Sequence, residues 1–328
     1  MKTRIIGKNL QVAEVGLGCM GMSEFYGPSD DSASLELLSL ACDLGVNFLD
    51  TADMYGPHHN EELIGKFLAT NRDKQIKVAT KFGIVRNQNE YKRSINNSRE
   101  YTREACNASL RRLGVEQIDL YYVHRVDTTQ PIEETVDILA ELVREGKIAR
   151  IGLSEVNANT LRRAHSVYSI DAVQSEYSLW ERSAEDEVIP TCKELGIGFV
   201  AYSPLGRGFL TGRFRSSTEF SSGDFRANLP RFSQGALQAN LRLVDALEDL
   251  AEIKGCTPAQ LCLAWLLAKG EHIVPIPGTR SPKYLTDNVK AADIKLTEVE
   301  ILELEHVADD LPAIGERYAK EGMKGVNV

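Results

Sequence analysis

Four polar side chains able to hold, steer or transfer a proton lie at or just beyond the ends of short apolar runs. Asp50, Lys81 and His124 each end such a run, and Tyr55 follows Asp50 by five residues. If these runs are neighbouring parallel strands of one barrel, the four side chains converge on one face of it. The sequence therefore predicts a site that delivers a proton.

A carboxylate, a phenol, an ammonium and an imidazole together suit proton donation to an oxygen that gains negative charge. The Tyr55 phenol has an ordinary pKa of about 10, which a neighbouring Lys81 ammonium lowers by favouring phenolate. Asp50 can hold the ammonium, and His124 can orient a substrate oxygen. Each residue also has a structural interpretation: an ion pair, a loop hydrogen bond, or a hydrogen-bonded histidine of the core.

Composition limits the classes of partner. The chain has 328 residues and 43% hydrophobic content, enough for one large α/β barrel. Its 38 basic and 47 acidic side chains give a net charge of −9, which argues against nucleic acid or an anionic membrane as the main partner. A phosphate-bearing ligand must therefore be held by groups placed locally.

Targeting and crosslinking signals are not visible in the sequence. Residues 1–7 lack a long apolar core, so no signal peptide is predicted, and no apolar run is long enough to span a bilayer. The six cysteines are scattered without a C-x-x-C spacing, which predicts reduced, buried thiols and neither a disulfide framework nor a zinc site. We expect a cytoplasmic protein without a resident metal.

Strand-like and helix-like segments alternate eight times, without a linker or a shift in composition. After a β-hairpin in residues 1–12, strands are predicted at 15–19, 48–50, 76–81, 118–124, 148–154, 172–176, 198–202 and 273–276. Helices are predicted at 32–44, 61–69, 101–113, 132–145, 158–165, 185–195 and 284–291, with extra helices at 241–253 and 258–268 and a long loop at 205–235. The sequence therefore predicts one (β/α)8 TIM barrel domain over residues 1–328.

An open, doubly wound sheet is the rival architecture, because one glycine pattern resembles its fingerprint. Gly16, Gly18 and Gly21 spell G-x-G-x-x-G, as in dinucleotide-binding Rossmann folds. That fingerprint requires a helix at its third glycine, but turn-forming residues follow Gly21 and a helix is predicted only near Ser32. Asp50 also lies too far along the chain to be the acidic residue that the fingerprint needs. Turns and close packing explain the glycines better.

Five motifs resemble the signature of the aldo-keto reductase superfamily. They occur in order at residues 50–56, 60–65, 80–81, 120–124 and 276–280. The likeness extends from about residue 7 to residue 288. Residues 18–21, 124–125 and 152–155 are most similar to the branch of bacterial and plant reductases that includes perakine reductase. The resemblance implies a (β/α)8 barrel that reduces carbonyl compounds with NADPH and without a metal.

The resemblance also implies roles for the residues at matching positions. Tyr55 is the expected general acid, Lys81 and Asp50 tune it, and His124 orients the carbonyl of a small-molecule substrate. The expected cofactor contacts are Gly21, Met22, Asp50, Ser154, Gln174, Tyr202, Ser203, Leu205, Gly206, Gly208, Gly278, Thr279, Arg280, and, near adenine or ribose, Asp287 and Asn288.

Different parts of the cofactor have different expected partners. Ser154 and Gln174 are expected to hydrogen-bond the nicotinamide carboxamide, and Tyr202 is expected to stack on the nicotinamide ring. Residues 203–208 resemble the family segment whose backbone meets the pyrophosphate, where glycines permit close approach. Arg280 and the helix N-terminus after it resemble the site of the 2′-phosphate.

Some residues near the expected pocket are not explained by the resemblance. Glu155 stands where many members of the superfamily have Asn, so no carboxamide contact is predicted for it. Other branches differ at the position of Arg125, which is a candidate to shape the substrate mouth. Residues 25–26 and the long loop are further candidates, and Trp180 is predicted to contact the substrate.

Two other functions stay open at this point. Potassium-channel β subunits resemble the same family and act chiefly as partners, but this chain shows no long N-terminal extension suited to that role. A metal-dependent barrel hydrolase needs several ligands at strand ends, and Asp50 with His124 supplies too few. The sequence leaves the physiological substrate, the preferred direction and the choice between monomer and homo-oligomer undecided.

Overall fold

The N-terminal hairpin closes one end of a barrel. The structure, a computed structural model, describes residues 1–86, 93–220 and 223–328. Antiparallel strands β1 (Thr3–Ile6) and β2 (Leu10–Ala13) form the predicted hairpin. Ile6, Leu10 and Val12 are fully buried against inward-facing residues of the barrel strands. The hairpin therefore seals the amino ends of those strands and leaves their carboxyl ends open.

Eight parallel strands form the barrel, as predicted. They are β3 (Leu17–Gly18), β4 (Phe48–Asp50), β5 (Lys77–Phe82), β8 (Leu120–Val123), β9 (Ile151–Ser154), β10 (Ala172–Glu176), β11 (Gly198–Tyr202) and β12 (Ile273–Pro275). Each pairs with the next in that order. The Gly16 N–H donates to Pro275 O at 3.0 Å, which joins the first and last strands. A short hairpin, β6 (Ile84–Val85) and β7 (Ser94–Ile95), follows β5.

Helices cover the outside of the barrel. They are α1 (Asp31–Asp43), α2 (His59–Thr70), α3 (Arg99–Leu113), α4 (Ile132–Arg144), α5 (Ala158–Val167), α6 (Val188–Leu195), α7 (Gln234–Lys254), α8 (Pro258–Ala268), α9 (Pro282–Lys290) and α10 (Glu298–Asp310). Helix α1 begins ten residues after Gly21, and its cap Asp30 accepts from the Ala33 N–H at 2.8 Å. The glycine pattern therefore does not open an α-helix, as the barrel prediction required, and Gly21 lies only in a short 3-10 turn, Met20–Met22.

Strand alternation separates two layers of core. In β8, Leu120 and Tyr122 point into the barrel, whereas Tyr121 and Val123 face the surrounding helices. The ring of Tyr122 occupies the space beside Gly152 on β9, where an added Cβ would lie 2.3 Å from a ring carbon. The barrel interior is therefore filled by side chains, and a ligand can enter only at the carboxyl ends of the strands.

Several elements differ from the sequence prediction, among them the β6–β7 hairpin, which was not predicted. Helix α7 starts at Gln234 instead of residue 241, because Leu237 is buried and Asn240 bonds to the C-terminal segment through Ile314. The predicted loop before it contains several 3-10 turns, and its residues 221–222 lie outside the described part of the chain. Helix α10 was not predicted, although its capping box, Thr297 with Glu300, is a readable signal.

Candidate active site

A cavity of about 810 Å³ opens at the carboxyl ends of the barrel strands. Asp50, Tyr55 and His124 line one part of it, and Arg280 and Asn288 line another. The volume lies in the range of roughly 300–1,000 Å³ that is common for small-molecule sites. Three of the four predicted proton-delivering residues therefore share one cavity with Arg280, the residue predicted to bind the 2′-phosphate.

Strand pairing brings Asp50 and Lys81 together. Asp50 is opposite Ala79 in the β4–β5 ladder, and Lys81 lies two residues further along β5, on the same face. Lys81 Nζ donates to Asp50 Oδ1 at 2.5 Å and to Thr51 O at 2.8 Å. The two side chains are only 1% and 3% exposed. Lys81 lies behind the cavity wall and acts on the cavity only through its neighbours.

The Tyr55 hydroxyl reaches the same ammonium group. Tyr55 lies in the turn between β4 and α2, where its N–H donates to Ala52 O at 3.2 Å. Asn60 on α2 secures this turn by accepting a 2.6 Å hydrogen bond from the Thr51 hydroxyl. Lys81 Nζ lies 3.3 Å from Tyr55 Oη and 5.0 Å from the centre of the ring. One buried cation therefore contacts both the carboxylate and the phenol.

His124 completes the group at the end of β8. Its N–H donates to Phe82 O at 2.8 Å, which fixes its position beside β5. The imidazole meets the Tyr55 ring edge to face, with ring centres 5.9 Å apart. Its Nδ1 is buried without a hydrogen-bond partner among the described residues. Burial, aided by the positive charges of Lys81 and Arg125, holds the pKa of His124 well below 6.5, so the ring is neutral.

Burial and charge set the protonation states of the other three groups. Burial raises the pKa of Tyr55 above 10.0, and it outweighs the opposing effect of Lys81. Burial alone would lower the pKa of Lys81, but Asp50 and Tyr55 raise it above 10.5. Burial raises the pKa of Asp50, while Lys81 and Gln174 counteract that rise. Tyr55 is therefore a protonated phenol beside an ammonium at neutral pH.

Polar side chains from the next three strands line the cavity beside this group. Gln174 on β10 donates to Asp50 Oδ2 at 2.7 Å. Ser154 ends β9, and its hydroxyl oxygen lies 3.4 Å from Arg125 Nη1. Tyr202 ends β11 and lies 3.0 Å from the Tyr318 hydroxyl. The structure thus brings the three residues predicted near nicotinamide to one side of the cavity.

Arg280, the residue predicted to bind the 2′-phosphate, lies beside the N-terminus of α9. Pro282 is the first residue of this helix, and the Ser281 hydroxyl accepts from the Tyr284 N–H. Arg280 precedes the cap and lines the cavity. The other predicted contacts that line this cavity are Gly21, Ser203, Leu205, Gly208, Gly278, Thr279, Asp287 and Asn288.

Three predicted contacts do not line the cavity. Trp180 is 4% exposed and stacks on Phe209 with ring centres 4.2 Å apart, inside the aromatic core beside the barrel. Its prediction as a substrate contact is therefore wrong in this structure. Met22 is buried at the end of a 3-10 turn. Gly206 lies behind the wall, where an added Cβ would be 2.8 Å from Trp180.

Sequence reasoning missed a buried charge cluster at the mouth, made of Glu155, Glu176, Arg207 and Arg317. Arg207 donates to both Glu176 oxygens at 2.8 and 2.7 Å. Arg317 donates to Glu155 Oε2 at 2.6 Å. The Arg207 guanidinium also lies 4.6 Å from the centre of the Tyr318 ring, which lines the cavity. No local signal predicts these contacts, because the partners are far apart in the sequence.

Comparison with known proteins shows the family to which this barrel belongs. Residues 14–309 match the model of the aldo/keto reductase family. The chain belongs to this family. A curated aldo-keto reductase from Schizosaccharomyces pombe, whose name includes NADP(+), is 46% identical to it over 320 residues, 96% of this chain and 94% of the relative.

Solved structures of other members resemble this aldo-keto reductase along nearly all of its length. A glycerol dehydrogenase from Gluconobacter oxydans has a TM-score of 0.87 at 28% identity and covers 96% of this chain and 97% of its own. An aldo-keto reductase from Bacillus halodurans has a TM-score of 0.77 at 28% identity, covering 98% and 99%. The (β/α)8 barrel and an oxidoreductase function follow, whereas the likeness to the perakine reductase branch stays a prediction.

The described part of this aldo-keto reductase contains neither a cluster suited to a metal ion nor a helix suited to crossing a membrane. Within residues 1–86, 93–220 and 223–328, no group of three or more His, Cys, Asp or Glu side chains is placed to hold a metal ion. None of the helices in those ranges combines the length and the apolar character that crossing a membrane requires.

Proposed function

We propose that the chain is an NADPH-dependent carbonyl reductase in which Tyr55 is the proton donor. The observation that carries this proposal is the Lys81 ammonium, which contacts Asp50 Oδ1 and Tyr55 Oη at the wall of a ligand-sized cavity. The unpartnered Nδ1 of His124 supports it, because a buried polar atom without a partner suits an incoming ligand. The NADP(+) in the name of the S. pombe relative supports the choice of cofactor.

The donor set of the cavity fits NADPH. Arg280 and Lys283 place positive charge at the N-terminus of α9, where phosphate groups bind favourably. Gln174, Ser154 and Tyr202 offer an amide, a hydroxyl and an aromatic ring about the proton-delivering group. The phosphates would therefore lie by α9 and the nicotinamide would lie near Asp50.

The proposed chemistry divides between cofactor and protein. Bound NADPH supplies hydride to the carbonyl carbon. Neutral His124 holds the carbonyl oxygen by a hydrogen bond, and Tyr55 donates its proton to that oxygen as negative charge develops there. Lys81 stabilises the phenolate that remains, and Asp50 keeps Lys81 in place and charged. The product is an alcohol, and solvent returns a proton to Tyr55.

The direct test is NADPH oxidation with a panel of aldehydes, ketones and quinones, for the natural chain and for Tyr55→Phe. We expect turnover with the natural chain and a loss of about 10²–10⁴-fold in the variant, the usual contribution of a positioned general acid. Tyr168→Phe is the matched control, because Tyr168 lies at the end of α5 and outside the cavity lining.

NADPH binding, followed by its fluorescence, separates loss of chemistry from loss of the site. Tyr55→Phe is expected to retain binding, since only the hydroxyl is removed. Full turnover in that variant would remove Tyr55 from the mechanism. Tight NADPH binding by the natural chain without turnover of any carbonyl would instead favour the partner-type function of the channel β subunits.

A further inference from the structure

Arg125 places a buried positive charge on the cavity wall beside His124. Its side chain lines the cavity, and the residue is 5% exposed. Its Nη1 donates to His124 O at 2.8 Å and lies 3.4 Å from Ser154 Oγ, and both of these partners are uncharged. Its Nε is buried without a hydrogen-bond partner in the described chain. The guanidinium therefore has donor capacity that the protein does not use.

The neighbouring carboxylates are already engaged by other cations. Glu155 pairs with Arg317, and Glu176 is held by two bonds from Arg207. Across residues 1–86, 93–220 and 223–328, no carboxylate forms an ion pair with Arg125. Arg207 and Arg317 thus engage Glu176 and Glu155, and Arg125 and Arg93 are further cations in the lining on the side of His124. Because burying an unpaired charge is unfavourable, this arrangement favours an anion from outside the chain.

That anion belongs on the substrate side of the cavity. The cations suited to the cofactor phosphates, Arg280 and Lys283, lie by α9, whereas Arg125 directly follows the histidine proposed to hold the carbonyl. The walls near this histidine include Met54 and Ile84, which are apolar and buried. A suitable substrate therefore combines an apolar body with one negative group.

We propose that Arg125 binds a carboxylate of the substrate, so that this reductase acts preferentially on aldehydes or ketones that carry an acid group. The planar guanidinium offers paired N–H donors that match the two oxygens of a carboxylate. This inference rests on the proposed reductase function, which assigns the carbonyl to His124. The net charge of −9 makes the attraction local, since the molecule as a whole repels anions.

The experiment compares a charged aldehyde with a neutral analogue of nearly the same shape. We would measure kcat/KM for 4-carboxybenzaldehyde and for its methyl ester, with NADPH saturating. The natural chain is expected to prefer the acid by tenfold or more. Arg125→Met should bring the ratio of the two values close to one, mainly by raising KM for the acid. Arg125→Lys should keep part of the preference, because it retains the charge and loses the planar fork.

Arg213→Met is the matched control, since it removes a different, exposed cation from the cavity lining, one that the proposed mechanism does not use. The acid-to-ester ratio should change less than twofold in this control. If the ratio fell equally in the control and in Arg125→Met, the preference would come from the overall positive potential of the cavity, which would overturn the role of Arg125. If Arg125→Met does not fold, the acid-to-ester ratios of Arg125→Lys and of the natural chain still test the proposal. A ratio near one in the natural chain, with the ester reduced well, overturns the inference and leaves the reductase function intact.

A binding measurement keeps the inference testable if no aldehyde is reduced, which would contradict the proposed function. Calorimetric titration with benzoate and with benzyl alcohol needs no turnover. Benzoate is expected to bind the natural chain at least tenfold more tightly than it binds Arg125→Met, and benzyl alcohol is not expected to distinguish them. Equal benzoate affinities would show that Arg125 does not bind carboxylates.

Discussion

The Lys81 ammonium contacts both the Asp50 carboxylate and the Tyr55 hydroxyl, so it bears on stability and on the proposed chemistry. Its ammonium donates to the Asp50 carboxylate, to the Thr51 carbonyl and to the Tyr55 hydroxyl, at 2.5, 2.8 and 3.3 Å. The cation lowers the pKa of Tyr55, but burial raises that pKa by more, so the phenol holds its proton well into alkaline solution. A proton donor must carry its proton at the working pH, and this balance ensures it.

The pH dependence of the two reaction directions follows from these shifts. In the proposed mechanism reduction needs protonated Tyr55, whose pKa lies above 10.0, so kcat/KM for a carbonyl should stay level through neutral pH and fall only in alkaline solution. Alcohol oxidation needs the phenolate and should rise as pH increases. His124 titrates well below 6.5 and should add no change near neutrality. Measured pH–rate profiles in both directions check this, and a fall in reduction centred near pH 7 would contradict it.

Lys81→Met should lower both stability and activity, because the residue serves both. The variant leaves the Asp50 carboxylate buried with only Gln174 as a side-chain partner, and losing one partner of a buried pair costs about 3–5 kcal/mol of unfolding free energy. Reduction should fall at least tenfold, and the pKa of Tyr55 should rise further. Chemical denaturation and pH–rate profiles measure the two effects.

The double variant Lys81→Met/Asp50→Asn separates the two effects. It removes both charges, so the free energy of unfolding should recover most of the loss. Activity should not recover, since no cation then contacts Tyr55. Restored activity in the double variant would mean that Lys81 acts only as an anchor for Asp50.

At the scale of elements, Arg280 ties the N-terminus of α9 to the loop between β3 and α1. Its guanidinium donates to the backbone carbonyls of Tyr26 at 2.7 Å, of Gly27 at 3.3 Å and of Pro28. All three acceptors are uncharged, so the charge of Arg280 is not neutralised by them. A phosphate bound at the helix N-terminus could therefore be held by this side chain and by the helix dipole together.

Arg280→Ala should weaken NADPH binding by about tenfold or more and leave NADH binding nearly unchanged, because a charge-assisted contact to the 2′-phosphate is worth roughly 1.5–3 kcal/mol. Fluorescence titration with both cofactors measures the preference. Arg242→Ala is the control, as this exposed arginine lies on α7 and outside the cavity lining. Equal affinity of the natural chain for NADPH and NADH would exclude a 2′-phosphate site.

At the scale of the whole molecule, the C-terminal segment 311–328 lies across part of the barrel mouth. Arg317 pairs with Glu155 at 2.6 Å and with Glu176 at 3.3 Å. The Asn327 N–H donates to Glu155 O at 2.8 Å, and Val328 O accepts from the Asn157 N–H. These contacts join the end of the chain to the ends of β9 and β10. Tyr318 thereby reaches the cavity, opposite residues from the first half of the sequence.

Arg317→Met should release this segment and destabilise the protein. It leaves Glu155 buried without its cation, at a cost of about 3–5 kcal/mol in unfolding free energy. Amide hydrogen exchange in residues 311–328 should become faster than in the barrel strands. Arg162→Met, which removes a surface pair with Glu194, is the control and should hardly shift the unfolding transition. Unchanged exchange in the segment would mean that other contacts hold it.

The sequence by itself determined the barrel and the placement of its candidate proton-delivering residues. Strand-ending positions of Asp50, Lys81 and His124 were readable because a parallel sheet brings the carboxyl ends of its strands together, whatever the helices contain. The start of α1 near residue 32, well after Gly21, was also readable, because it depends on neighbouring residues only. The catalytic roles of Asp50, Tyr55, Lys81 and His124 stay predictions until the variants are measured.

Only the tertiary structure decided which side chains reach the cavity and which charges remain unpaired. Trp180 looked like a pocket residue, yet packing against Phe209 buries it elsewhere. The net pKa shift of Tyr55 needed the amount of burial, which spacing along the chain does not give. Arg317 engages a carboxylate 162 residues away and so leaves Arg125 unpaired among the described residues. Such contacts depend on how distant segments pack, and a single sequence carries no local signal for them.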